Sequence, residues 1–191
     1  MAAMSFQSGD TWPIGLLTNF SHARAKRTSF ENRYYGPYDK LLNYCFGESF
    51  TFYIAPQNPL RDDSRDSVIF LVVFDGKDRP VLLVEVKDDS WAEKAELRYC
   101  ADDQIRGRCA LMLDDCPLPR LWGLSLLGTS ARVWCGDKAT YEVSHHCAPG
   151  SFARSFANLL SWGVGHGHLD GGQICEDEEI VTDILAHAGD N

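Results

Sequence analysis

The most specific chemical signatures are missing from these 191 residues. No Cys-x-x-Cys pair occurs, and the seven cysteines (positions 45, 100, 109, 116, 135, 147 and 175) are odd in number and scattered. That pattern argues against a structural zinc site and against a disulfide framework. Reduced thiols in an intracellular protein, cytoplasmic or nuclear, are the expectation. There is no Walker loop, no Ser-His-Asp order and no Gly-x-Gly-x-x-Gly following a strand; Gly163, Gly165 and Gly167 are only a weak echo of the last. The opening MAAMSFQSGD has neither a basic nor an apolar region of a secretory leader, so none is expected. No run approaches the ~18 apolar residues that a membrane span requires, so no membrane partner is expected. Positive charge is also scarce. The formal net charge is −9, which removes the broad positive field that supports non-specific nucleic-acid binding. A local basic patch or a bound divalent cation can still reverse the sign at one site. Internal repeats and low-complexity tracts are absent.

What is present is enough for a core. An apolar fraction of 45% with 12% aromatics implies a globular fold, and the length suits one domain. Three regions are expected within it: an arm over 1–30, a core over 31–148 and a helical extension over 149–191.

The most informative stretch is DSVIFLVVFDGKDRPVLLVEVK, Asp66 to Lys87. Apolar runs at Val68–Phe74 and Val81–Val84 flank Asp75-Gly76-Lys77-Asp78, and Asp-Gly between β-rich runs predicts a hairpin. Such continuous apolar strands belong inside a sheet covered on both faces. Yet the second run ends in Glu85-Val86-Lys87, with two charges on one face. Burying a charge costs several kcal/mol, on the order of 3–5, unless it is paired or binds a metal. In two of the plausible registers Asp66 faces Lys87 or Asp89 and shares a side of the sheet with Glu85 and Lys87; a one-residue slip would turn it to the other side. Asp75 lies about 30 Å from Asp66 along a strand, at ~3.3 Å per residue, so Asp75 and Asp78 belong to the turn.

Around the hairpin, Met1 to Phe30 reads as an arm with little periodicity. Its basic cluster, Arg24, Lys26, Arg27 and Arg33, is either solvated or in contact with phosphate. Pro37 and Gly47 bracket an expected helix from Pro37 to Phe46. Phe50–Ala55 reads as a strand. Ser90 with Glu93 forms a capping box, which starts a helix that can run to Leu113 with Gly107 as its weak point. Leu121–Gly128 reads as a buried strand, followed by a hairpin of Ala131–Cys135 and Thr140–Val143. Ser151 caps a further amphipathic helix, and Glu176–His187 forms a last one with acids at its N-terminus. Trp91, Trp122, Trp134 and Trp162 are expected in the core. His166, His168 and Asp170 have ligand-like alternation, but the surrounding glycines favour a plain loop. The resulting order, αβββαββ plus C-terminal helices, implies an α/β fold with a mixed sheet.

Asp66, eighteen intervening residues and then Glu85-Val86-Lys87, in this element order, resemble the PD-(D/E)XK phosphodiesterase superfamily. The resemblance covers roughly Pro37 to Cys135 and implies a restriction-endonuclease-like mixed sheet with flanking helices. It implies that Asp66 opens the second core strand and that Glu85 and Lys87 end the third. It also implies a helical Gln, matched by Gln104, and in some members an acid on the first helix, where Asp39 stands. Two positions depart from the pattern: Arg65 precedes Asp66 where the family has Pro, and Arg108 stands where an aromatic often follows the Gln by four residues. Segments such as VLLVEVKDDSWA and LWGLSLLGTS also look like a group of proteins common in mushroom-forming fungi.

The implied activity is that of a Mg²⁺- or Mn²⁺-dependent nuclease acting on DNA or RNA. Asp66, Glu85 and the carbonyl of Val86 would be the metal ligands, and Asp66, Glu85, Lys87 and Gln104 the catalytic set. The other reading is a non-catalytic binding or scaffold protein of the same fold, with a protein partner or a second copy of itself. In that case Glu85 and Lys87 are an ion pair at the end of a sheet, and Gln104 is a surface residue.

Overall fold

The computed structural model describes residues 13–26, 32–46, 51–57 and 70–146. The elements run α1 (Ile14–Ala25), α2 (Asn32–Phe46), β1 (Phe52–Gln57), β2 (Phe70–Asp75), β3 (Pro80–Lys87), α3 (Asp89–Glu93), α4 (Ala95–Met112), β4 (Arg120–Leu127), β5 (Ser130–Asp137) and β6 (Val143–His146). The fold is mixed α/β. The six strands form one sheet in the order β1-β2-β3-β4-β5-β6. All neighbours are antiparallel except β3 and β4, which run parallel. A parallel pair needs a crossover, and α3 with α4 supplies it. Helix α4 packs on β3, β4 and β5, while α2 packs on α1 and on β1, β2 and β3.

The hairpin forms as the sequence dictates. Every residue of β2 and β3 is buried, as continuous Val, Leu and Phe in an interior strand require. Leu71 pairs with Val84, Val72 with Leu83 and Val73 with Leu82, and a bulge at Val73/Phe74 adjusts the register before the turn. This is the second of the two expected registers. Asp66 itself lies outside the described residues. Asp75 is confined to the turn: its Oδ1 accepts from the amides of Lys77 and Arg79, and its Oδ2 lies 2.7 Å from Arg79 Nη2. Asp78 adopts the left-handed conformation, with φ of 63°.

Four expectations are corrected. The N-terminal arm contains a helix, α1, because Leu16, Leu17, Phe20 and Ala23 recur at helical spacing and bury one face. Phe20 meets Tyr38 of α2 edge-on, with ring centroids 5.0 Å apart. Helix α2 starts before Pro37 rather than at it. The proline removes only the N–H that would bond the carbonyl of Arg33, near the helix start. The helix after β3 is capped by Asp88, whose Oδ1 accepts from the amide of Ser90, and not by Ser90. It is then broken at Lys94, which is extended (φ −105°, ψ 122°), so α3 and α4 are separate. The last hairpin turns at 138–142, with β5 continuing through Gly136 to Asp137. Pro56 lies inside β1, which is tolerated because β1 is an edge strand. The helices expected after Ser151 and from Glu176, together with Trp162, His166, His168 and Asp170, lie outside the described residues.

Candidate active site

Strand β3 carries Glu85 and Lys87 to its carboxyl end, beside Ser125 and Leu127 of the parallel strand β4. In open α/β sheets, ligands bind beyond the carboxyl ends of parallel strands. Because side chains alternate along a strand, Glu85, Lys87 and Ser125 share one side of the sheet. Helix α4 lies on that side: a Cβ at Gly123, two residues before Ser125, would meet Cys109 Sγ at 2.8 Å and Ile105 Cγ1 at 3.1 Å. Glycine therefore lets α4 approach closely enough for its polar residues to reach the sheet.

Glu85 and Lys87 are both fully buried. Lys87 Nζ lies 3.1 Å from Glu85 Oε1 and 4.6 Å from the ring centroid of Trp91. Trp91 is thus half-buried over a cation rather than packed in the core, whereas Trp122 and Trp134 are buried as expected. Arg108 of α4 pairs with the other oxygen, Glu85 Oε2, and its guanidinium carbon lies 4.1 Å from the centroid of Phe70. Burial pushes the Arg108 guanidinium down to about 10, with Tyr35 opposing, so it stays charged at neutral pH. These are contacts of charge with charge, since neither Glu85 oxygen accepts a directional hydrogen bond.

A second cluster closes the ends of the strands. Arg33 Nη2 of α2 lies 2.5 Å from Asp88 Oδ2 and 2.8 Å from Asp89 Oδ2. Tyr34 donates to the same Asp89 oxygen at 2.5 Å. Burial, then the bond to Asp89, holds the Tyr34 hydroxyl well above its ordinary pKa, which keeps it a donor. Gly128 donates its N–H to the Lys87 carbonyl at 2.8 Å and accepts from the Tyr38 hydroxyl at 2.7 Å. Its φ is +62°, and a Cβ there would stand 1.5 Å from Asp89 Oδ1, so only glycine fits. Three carboxylates (Glu85, Asp88, Asp89) thus face three cations (Arg33, Lys87, Arg108) at this corner, and the charge of Arg24 on α1 also reaches Tyr34 and Tyr38. The acids after Lys87 do not leave it negative, and Arg33 is occupied by them rather than presented to phosphate.

The remaining expected residues are placed as follows. Asp66 lies outside the described residues. Gln104 sits one turn before Arg108 on α4, half-buried, with Oε1 enclosed and accepting no hydrogen bond. Asp39 is exposed on α2 and accepts from the Asn43 amide at 3.2 Å; it is not part of this corner. Asp102 is buried rather than solvated and pairs with Arg132 of β5, while Asp103 is exposed and pairs with Arg106 at 3.1 Å. His145 is exposed against the edge of Trp134. Arg108 and Ser125 are the contributors that the sequence reading missed. Arg108 had a signal, since it breaks the aromatic pattern four residues after Gln104. Ser125, whose Oγ is buried and accepts or donates no hydrogen bond, had none.

Among the described residues no three His, Cys, Asp or Glu side chains come together as a metal cluster. Of the expected metal ligands only Glu85 and Val86 are described, and the two Glu85 oxygens already face Lys87 Nζ and Arg108 Nη1. The five described cysteines, Cys45, Cys100, Cys109, Cys116 and Cys135, form no disulfide among themselves. No helix among the described residues is long and apolar enough to cross a membrane. Comparison with protein-family models, with curated proteins and with solved structures returns no match to this chain.

Proposed function

We propose that the Glu85–Lys87 corner is a phosphodiesterase site of PD-(D/E)XK type acting on nucleic acid with Mg²⁺ or Mn²⁺. The carrying observation is a fully buried acid and lysine two residues apart on one strand, with Lys87 Nζ 3.1 Å from Glu85 Oε1. Burial of that pair is costly unless it serves packing or chemistry. The sheet order, with its single parallel pair after an α crossover, supports a restriction-endonuclease-like arrangement. Glu85, with Asp66 and the Val86 carbonyl, would hold the cation, which polarises a phosphodiester oxygen and acidifies bound water. Lys87 fixes the position of Glu85 through the contact of its Nζ with Oε1. Its ammonium is the donor placed to orient a water or to neutralise charge developing on phosphorus. Trp91 shields that ammonium from bulk water, which strengthens its field. Gln104 Oε1 is a spare acceptor one turn from Arg108.

A specific observation favours the second reading, a non-catalytic scaffold. Both oxygens of Glu85 already face cations, Lys87 and Arg108. In that reading the triad is a buried ionic element of the core. A cleavage assay on labelled single-stranded and duplex DNA and RNA with Mn²⁺ separates the two. The nuclease reading expects turnover that Asp66→Ala and Lys87→Ala each abolish. Activity in either variant equal to that of the unaltered chain, or none in the unaltered chain with saturating metal, removes it.

A further inference from the structure

Lys87 is fully buried, so nothing in solution can touch its ammonium without movement of the chain. Any role for it beyond holding Glu85 requires part of its cover to move. The described elements around it differ in how firmly they are held. Strands β3 and β4 are interior and almost entirely buried, and α4 buries Ala101, Ile105 and Cys109. Helix α3 buries no residue at all. It is five residues long, far below the ~12–15 at which a helix begins to hold by itself in water. Yet it carries Trp91, whose ring centroid lies 4.6 Å from Lys87 Nζ.

What fastens α3 is polar and sits toward its two ends. At its start Asp89 meets Arg33 and Tyr34 of α2, and the amide of Ser90 donates to the Asp88 carboxylate. Toward its end the Arg98 guanidinium of α4 donates to the Ala92 carbonyl. Both flanking residues, Asp88 (φ −72°, ψ 159°) and Lys94 (φ −105°, ψ 122°), have extended backbone, so rotation there moves α3 without bending β3 or unwinding α4. We infer that α3 is a lid over the Lys87–Glu85 corner. Trp91 closes it, and movement of 89–94 alone opens it while the sheet and α4 stay folded. Segments that move to admit ligands come from the least stable part of a fold, and α3 has that character. An anion reaches the Lys87 ammonium only when the lid is open. The inference does not depend on the nuclease reading, because it concerns access to the ammonium whatever the corner binds.

Acetylation of Lys87 in the full chain by a small amine-reactive ester tests this, read by mass spectrometry against the exposed Lys77 at several urea concentrations below the unfolding transition. Opening a lid exposes little surface, so labelling of Lys87 should hardly change with urea. Labelling through global unfolding would instead rise with the full slope of the transition. Trp91→Ala removes the ring over the ammonium and should raise the Lys87 rate, relative to Lys77, at least about tenfold. Arg98→Met should raise it about fivefold, as the loss of one hydrogen bond predicts. Trp91→Leu repeats the test if the Ala variant fails to give a native circular-dichroism spectrum and a cooperative melt. In the unaltered chain the amides of 90–93 should exchange with deuterium ahead of those of α4. Labelling of Lys87 that appears only with the full urea slope overturns the inference. So does a Lys87 rate in a folded Trp91 variant equal to that of the unaltered chain. A chain that cleaves no nucleic acid but labels Lys87 in the expected way keeps the lid and loses the nuclease reading.

Discussion

Replacing Glu85 by Gln removes the one anion shared by two cations and leaves the shape nearly unchanged. At the 3.1 Å separation between Lys87 Nζ and Glu85 Oε1, and with an effective dielectric of about 20, the lost attraction is about 5 kcal/mol before any relaxation. Lys87 is fully buried and Arg108 nearly so, so neither can regain full hydration without moving. Breaking a buried pair by removing one partner costs about 3–5 kcal/mol, a large share of the roughly 5–15 kcal/mol that holds a domain together. In urea, with a slope of about 2 kcal/mol/M, the midpoint should fall by roughly 2 M. Lys87→Met and Arg108→Met should each cost less than Glu85→Gln, because each leaves Glu85 with one cation. Equilibrium unfolding monitored by tryptophan fluorescence gives all three values. A loss below about 1 kcal/mol for Glu85→Gln would refute the reasoning. So would an order in which either cation matters more than the shared carboxylate.

Other perturbations test the frame around the site. Arg33→Met leaves the buried carboxylate of Asp88 without its cation 2.5 Å away and should cost about 3 kcal/mol, measured by the same unfolding curves. Gly128→Ala forces a Cβ into Asp89 at a left-handed backbone position. It should lower stability by at least about 2 kcal/mol, and a neutral result would mean that the end of β4 can rebuild. Buried thiols give a pH test: burial pushes Cys109 up to about 12 and Cys116 up to about 11 from 9.0. Their neutral forms are favoured in the folded state. Their contribution is therefore complete below about pH 9 and is lost as pH rises toward 11–12, by about 1.4 kcal/mol per pH unit and thiol. Stability should decline above pH 9, and Cys109→Ala should flatten the decline; a parallel decline in that variant contradicts the burial argument. Cys100 is exposed and should react with a thiol reagent in the native protein, ahead of Cys45, Cys109, Cys116 and Cys135.

The hairpin and its charged end were legible because local chemistry and tertiary role coincide there. Asp-Gly fixes the turn, the apolar runs can only be interior strands, and Glu85 and Lys87 stand out within them. The partners of those charges were not legible, because a sequence does not say which cation meets which carboxylate. Arg108 reaches Glu85 only because Gly123 lets α4 lie close to β4, a contact between residues far apart in the chain. Arg33 was read with a basic arm for a similar reason: its neighbours in sequence are basic, while its neighbours in space are Asp88 and Asp89. Helix α1 was hidden because Pro13 and Gly15 are poor helix residues, yet Leu16, Leu17, Phe20 and Ala23 had the spacing. Asp102 and Asp103 are adjacent in sequence with nothing to tell them apart, and the rotation of α4 sends only Asp102 inward, to Arg132.

The proposed nuclease function requires that Glu85 hold a divalent cation at the end of β3. The most direct measurement is an anomalous difference map from crystals of the unaltered protein soaked in Mn²⁺. If Glu85 holds the ion, a peak is expected within about 2.0–2.6 Å of one of its carboxylate oxygens, a contact range typical of hard divalent ions with oxygen, with Asp66 among the other ligands. No peak at Glu85 under saturating Mn²⁺, with Lys87 still paired to it, would contradict that claim and leave the triad a structural feature of the core.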